Sequence, residues 1–139
     1  MKDRLISCIV TAAICASIVL IIYLGYIFMF PYAEPFEHLP TDNLFKISIS
    51  AIDRSSDMDI EEFRPFFSMI GEPKPTRRQS NNDSPYNDTY CCVDITYAQD
   101  KTCRYYIYTI QDTTYLEQPY VGVYEIDKNV LEFLKELLP

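Results

Sequence analysis

The chain has 139 residues, with 20 Asp or Glu against 12 Lys or Arg and a formal net charge of −8. Beyond residue 30 the balance is 10 basic to 19 acidic residues, which argues against nucleic acid and against an anionic lipid surface as the partner of that part. The 109 residues that remain suit one small domain and leave no room for two.

No charged side chain occurs from Leu5 to Ala33. A helix needs about 20 apolar residues to cross a hydrocarbon core of about 30 Å, so residues 5–30 read as a transmembrane helix in contact with the lipid bilayer, with residues 1–4 as a cytoplasmic stub. Lys2 and Arg4 precede the run, and Glu34 and Glu37 follow it. Basic residues favour the cytoplasmic flank, which puts the N-terminus inside and the C-terminal part outside a single-pass cell-membrane protein. A cleavable signal peptide has an apolar core of only about 7 to 15 residues and small residues before the cut, whereas here the run is longer and Pro31-Tyr32-Ala33 carries a proline. Cys8 comes too early for lipidation, and Cys15 follows the bulky Ile14. Tyr23 and Tyr26 fall toward the outer end, as interfacial aromatics do.

Pro31, Pro35 and Pro40 make residues 31–42 an extended, stiff spacer, in which His38 reads as a solvated side chain. Residues 43–139 form the extracytoplasmic domain. Leu44 to Ile52 alternates, with Phe45, Ile47, Ile49 and Ala51 opposite Lys46, Ser48 and Ser50, which predicts a half-buried strand. From Ser55 to Ile70 the period becomes helical through Ile60, Phe63, Phe67 and Ile70, with Ser56 or Asp57 as cap and acids in the first turn. Gly71 ends the helix in the left-handed region, and Pro65 predicts a break near Arg64.

Residues 72–87 form a long polar loop that concentrates the main basic patch, Lys74, Arg77 and Arg78. Three functional readings compete there: a basophilic kinase site at Arg77-Arg78-Gln79-Ser80, glycosylation at Asn82 and Asn87, and binding of a carboxylate or phosphate on a partner. An external location excludes the first. The plain alternative is that the arginines pair with the domain's own acids.

Tyr90 to Tyr97 and Cys103 to Ile110 predict a hairpin turning at 98–101. In the second strand Tyr105 and Ile107 compete with Tyr106, Tyr108 and Ile110 for the buried face, as in a central strand covered on both sides. Cys91 and Cys92 point to opposite faces, and Cys91 and Cys103 stand about four rungs apart at ~3.3 Å each, which predicts free thiols. Tyr115 to Ile126 reads as one strand, bulged or at an edge where Pro119 and Gly122 interrupt it. A closing helix carries a capping box of Asn129 and Glu132 and a stripe of Val130, Leu131, Leu134, Leu137 and Leu138.

The predicted order after the membrane helix is therefore strand, helix, three strands, helix. That is an α+β domain, an antiparallel sheet of about four strands with helices on one face. Pro75 to Ser80 continuing through Asn82-Asp83-Ser84-Pro85, and Tyr115-Leu116-Glu117-Gln118-Pro119-Tyr120-Val121-Gly122-Val123-Tyr124, resemble the two signatures of a Firmicutes domain-of-unknown-function family numbered 5301. The resemblance spans Leu44 to Ile126, and Pro65 departs from the usual pattern. It implies a Gram-positive source, which removes the glycosylation reading, and a membrane or lipid anchor before a small extracytoplasmic α+β domain, sometimes appended to sensor-type membrane peptidases. It carries no catalytic residue.

The only histidine is in the spacer, and there is no Gly-rich phosphate loop, His-Glu-x-x-His or Gly-x-Ser-x-Gly. The sequence thus points away from an enzyme, a metal site and a cofactor. It points to a membrane-anchored recognition or sensor-accessory module for a protein or cell-envelope partner, with Lys74, Arg77, Arg78, Gln118, Pro119 and Tyr120 as candidate binding residues. An immunity or inhibitor protein against an exported toxin or enzyme is the alternative, and a passive accessory of a larger membrane complex is a third.

Overall fold

The computed structural model describes residues 2–39, 44–80, 83–85, 87, 89–97 and 101–139. Two compact units emerge, Met1–Pro31 and Tyr32–Pro139. The first is helix α1, Lys2–Met29, which contains a 24-residue stretch, Ile6–Met29, long and apolar enough to cross a membrane. The Thr11 and Ser17 hydroxyls donate to the carbonyls of Ser7 and Ala13, one turn back. Such back-bonding satisfies a hydroxyl without water.

The second unit is α+β, with a sheet larger than the sequence suggests. Seven strands, β1 (Leu44–Ala51), β2 (Arg54–Met58), β3 (Lys74–Pro75), β4 (Cys91–Tyr97), β5 (Lys101–Ile110), β6 (Thr113–Gln118) and β7 (Gly122–Ile126), are arranged β2-β1-β4-β5-β6-β7-β3. All neighbours are antiparallel. Helices α2 (Ile60–Ile70) and α3 (Asn129–Glu136) pack against each other and on one face of the sheet.

Three elements account for the excess over four strands. Arg54–Met58 is polar with only partial burial, and its acidic end imitates the start of a helix; it is instead the edge partner of β1. The helix begins after Asp59, whose Oδ1 accepts from Glu61 N at 3.1 Å, so Asp59 is the cap in place of Ser56 or Asp57. Residues 115–126 are two strands joined by a turn at Pro119–Val121, with Gln118 opposite Gly122. The third is β3, two residues of the long polar loop that extend the sheet along β7.

Helix α2 runs unbroken through Pro65. Pro65 and Glu61, whose carbonyl loses its i+4 donor, share the exposed side, while Phe63, Phe66 and Ile70 are buried. Packing of that stripe holds the helix together. Gly71 follows with φ +57° and ψ −127°, a positive φ outside the left-handed helical well. In α3 the predicted capping box is replaced by Asp127, whose Oδ1 accepts from Asn129 N at 2.8 Å; Val130, Leu134 and Leu138 are buried.

The core on the helical side holds Ile47, Ile49, Cys91, Val93, Ile95, Tyr105, Ile107 and Leu116. Cys92, Tyr106 and Tyr108 form a separate cluster with Tyr90, Ile110 and Tyr115. Strand β5 is thus the central strand, covered on both faces, and Cys91 and Cys92 do point apart. Cys91 pairs with Ile107 and Cys103 with Ile95, so their strand positions are four rungs apart, and all five cysteines are free.

The described part of the expected spacer, residues 32–39, belongs to the folded unit. Phe36 packs at a tilt against Tyr105 and edge-to-face against Tyr124, with centroids 5.9 and 5.2 Å away, and Ala33 N donates to Thr76 O at 2.8 Å. The prolines keep it free of helix and strand, as expected, but its apolar residues Ala33, Phe36 and Leu39 pack on the core. Pro40 to Asp42, residues 98–100 of the expected turn, and Asn82 lie outside the described residues.

Candidate functional site

The turn between β6 and β7 combines exposure, strain and neighbouring charge. Val121 N donates to Gln118 O at 3.1 Å, closing a four-residue turn with Pro119 second and Tyr120 third. Tyr120 has φ +63°. Proline second and positive φ third are features of a type II turn, whose third residue is ordinarily glycine. Here it is a tyrosine 66% exposed, followed by Val121 at 49%.

Arg77 flanks this turn. Thr76 N and Oγ1 both donate to Val123 O, at 3.0 and 2.7 Å, which continues the β3–β7 pairing and sets Arg77 beside Gly122. The Arg77 guanidinium lies over the Tyr32 ring, 4.1 Å from its centroid. Ala33 sits so close to Gly122 that an added Cβ there would lie 2.5 Å from Ala33 Cβ. Glycine is required at this approach.

Below the turn opens a cleft of about 380 Å³, lined by Asp83, Tyr97, Thr102, Cys103, Arg104, Gln118 and Pro119. The Gln118 amide approaches Cys103 Sγ at 3.5 Å. Arg104 is committed across the sheet to Asp94 through Nε–Oδ1 at 2.7 Å and Nη2–Oδ2 at 2.8 Å, a bidentate pair that holds its pKa above the usual arginine value. The cleft therefore offers hydrogen-bonding groups and an aromatic wall more than free positive charge.

The six sequence candidates separate. Arg77, Gln118, Pro119 and Tyr120 converge on the turn. Arg78 turns instead onto the sheet face away from the helices, where its guanidinium is 4.7 Å from the Tyr115 centroid. Beside it the buried Glu117 accepts from Ser80 Oγ at 2.7 Å and from Tyr108 Oη at 2.8 Å. Burial first, and then the bond to Glu117, raise the Tyr108 pKa, while the charge of Arg78 lowers it. Arg78 thus faces the Tyr108–Tyr115 side of the sheet and not the turn. Lys74 stands farther along β3, opposite Glu125. Val121 joins the site as the fourth residue of the turn, and Tyr32 through tertiary packing that no local pattern announces. Among the described residues, no three of His, Cys, Asp and Glu are grouped as metal ligands would be.

Residues 35–125 match the family model DUF5301, described as a domain of unknown function (DUF5300). The chain belongs to this family. Both motifs that carry the sequence resemblance, 75–85 and 115–124, lie within the match, and so does most of the residue 32–39 segment. Comparison with curated proteins gives no match. The fold is similar to the NMR structure of a protein from Ruminococcus gnavus, with a TM-score of 0.57 and 24% identity over 70% of this chain and 99% of that one.

Proposed function

We propose that the protein is a membrane-anchored recognition module, whose domain lies outside the membrane and binds a protein or cell-envelope partner without catalysing a reaction. The observation that carries this reading is Tyr120, an exposed aromatic ring held at positive φ where glycine would be less strained. Tyrosine is a common anchor residue in recognition surfaces, because it presents a large amphipathic area with few torsions to freeze. Arg77 on Tyr32 supplies a cation beside it, and the cleft at Gln118 and Pro119 supplies hydrogen bonds.

The anchor is α1, and the basic residues Lys2 and Arg4 before it with Glu34 and Glu37 after it favour a domain on the outer side. The family resemblance supports the same layout and a Gram-positive source.

A photoreactive phenylalanine analogue at position 120, activated on intact cells and followed by mass spectrometry, tests the reading. The expected result is a cross-link to one protein or wall component that weakens when Arg77 is changed to Ala. Cross-links confined to lipid or to other copies of the chain would overturn it.

A further inference from the structure

Strand β5 outruns its neighbour β6. It pairs with β4 from Lys101 to Ile107, but with β6 only from Tyr106 to Ile110, so residues 101–105 have a ladder on one side alone. The register explains where β6 stops. The β5–β6 turn is Gln111 and Asp112, both at positive φ, and a two-residue turn of this kind closes on a hydrogen-bonded pair, Ile110 with Thr113. Hydrogen-bonded pairs then alternate through Tyr108–Tyr115 to Tyr106–Glu117, and the next would join Arg104 to Pro119. Proline has no N–H to give, and there the chain leaves the ladder for the turn at Tyr120.

By the same alternation the backbone N–H and C=O of Thr102 and Arg104 point to the side that β6 has left, while those of Cys103 and Tyr105 point to β4. Among the described residues, no backbone group takes up Thr102 or Arg104 on that side. The cleft of about 380 Å³ opens there, with Thr102, Cys103 and Arg104 in its wall. Open strand edges are ordinarily guarded by long charged side chains. Arg104 is instead drawn across to Asp94 on β4, away from the open edge.

We infer that this edge takes an extended peptide of a partner protein as an added strand, in the place that β6 vacates. Only an extended chain presents N–H and C=O groups at the two-residue spacing that Thr102 and Arg104 set. The lining selects the side chains. Cys103 and Tyr97 pack on the helical-side core and Gln118 reaches Cys103 from the same side, so a peptide residue opposite Cys103 meets a largely apolar wall. The residues before and after it share the face of Thr102 and Arg104, where the Tyr106 hydroxyl holds the exposed Asp83 by its carbonyl. With Asp83 in the cleft and 10 basic to 19 acidic residues beyond residue 30, a basic side chain suits that face. This mode of binding rests on the recognition reading and gives it a class of partner, a protein with an extended basic segment.

The test uses the isotope-labelled full chain in lipid nanodiscs, amide hydrogen exchange read by NMR, and the peptide acetyl-Thr-Lys-Val-Lys-Thr-amide as probe. Without peptide, the Thr102 and Arg104 amides should exchange about tenfold or more faster than those of Cys103 and Tyr105. The peptide is expected to bind saturably and to slow Thr102 and Arg104 toward their neighbours. N-methylation of both lysine amides, which removes the donors facing β5, should weaken binding about tenfold or more, whereas N-methylation of the valine, whose N–H points away, should change it by less than about threefold. Equal protection of all four amides in the free protein, no saturable binding, equal loss from lysine and valine N-methylation, or binding of chitotriose in place of the peptide would overturn the inference. None of these readings needs a variant. A protein cross-linked at position 120 while the edge rejects the peptide would leave the recognition reading standing and remove this one; an edge protected by the peptide with no partner cross-linked at position 120 would do the reverse.

Discussion

Tyr120 sets a residue-scale trade between stability and display. A left-handed backbone costs a side-chain-bearing residue about 1–2 kcal/mol, and asparagine tolerates it better than tyrosine does. Tyr120→Asn is therefore expected to raise the unfolding free energy by about 1 kcal/mol in urea titrations while reducing capture of the partner. A loss of stability would show that the ring packs for the fold's own sake. The thiols make a second prediction. Cys92 is raised to about 11, first by burial and then by the Asp94 charge. Its folded pKa lies above the ordinary value of 9.0, so between those values the unfolded chain gives up a proton that the folded chain retains. The stabilisation is complete below pH 9 and is lost as pH rises through about 11; Tyr105 and Tyr108, also raised, add to it above their ordinary value of 10.0. Urea midpoints under reducing conditions should fall across this range, and Cys92→Ala should flatten its lower part.

At the scale of the element, the strands legible in the sequence are those whose two faces differ. In β1, Ile47 and Ile49 are buried while Lys46 and Ser50 are exposed, and period two follows directly. Strand β2 has no such contrast, since as an edge strand it needs only the ladder to β1. The β6–β7 hairpin stays hidden because its turn holds tyrosine where glycine would have announced it, and Gly122 comes two positions late, where Ala33 requires it. Of the site, Gln118, Pro119 and Tyr120 are legible as an irregularity in a strand, and Arg77 as a basic residue in an acidic domain. Tyr32 is not, because only the fold carries it to Arg77. Helix α2 offers a prediction of its own. Pro65 is exposed and an interior proline costs about 3 kcal/mol, so Pro65→Ala should stabilise the domain by about 1–3 kcal/mol in thermal or urea unfolding. An unchanged midpoint would mean that the helix has already relaxed around the missing bond.

For the whole molecule, the decisive question is where the folded domain starts. Its prolines make residues 31–42 read as a spacer, but composition reports only that the segment is not helical, and Phe36 gives it a place in the core against Tyr105 and Tyr124. A version beginning at Tyr32 should therefore be more stable than one beginning at Asn43. Phe36 is half-buried, so its loss costs about 2 kcal/mol, against about 3–5 kcal/mol for a fully buried phenylalanine, and Ala33, Leu39 and the Ala33–Thr76 hydrogen bond add to it. Equal urea midpoints for the two versions would restore the spacer. The same comparison bears on recognition, because the shorter version removes Tyr32 from beneath Arg77 and leaves that guanidinium without its ring. If the turn at Tyr120 binds through a surface that Arg77 completes, the shorter version must lose partner capture by more than its lower stability explains, and Tyr32→Ala in the longer version must reproduce that excess without the drop in midpoint.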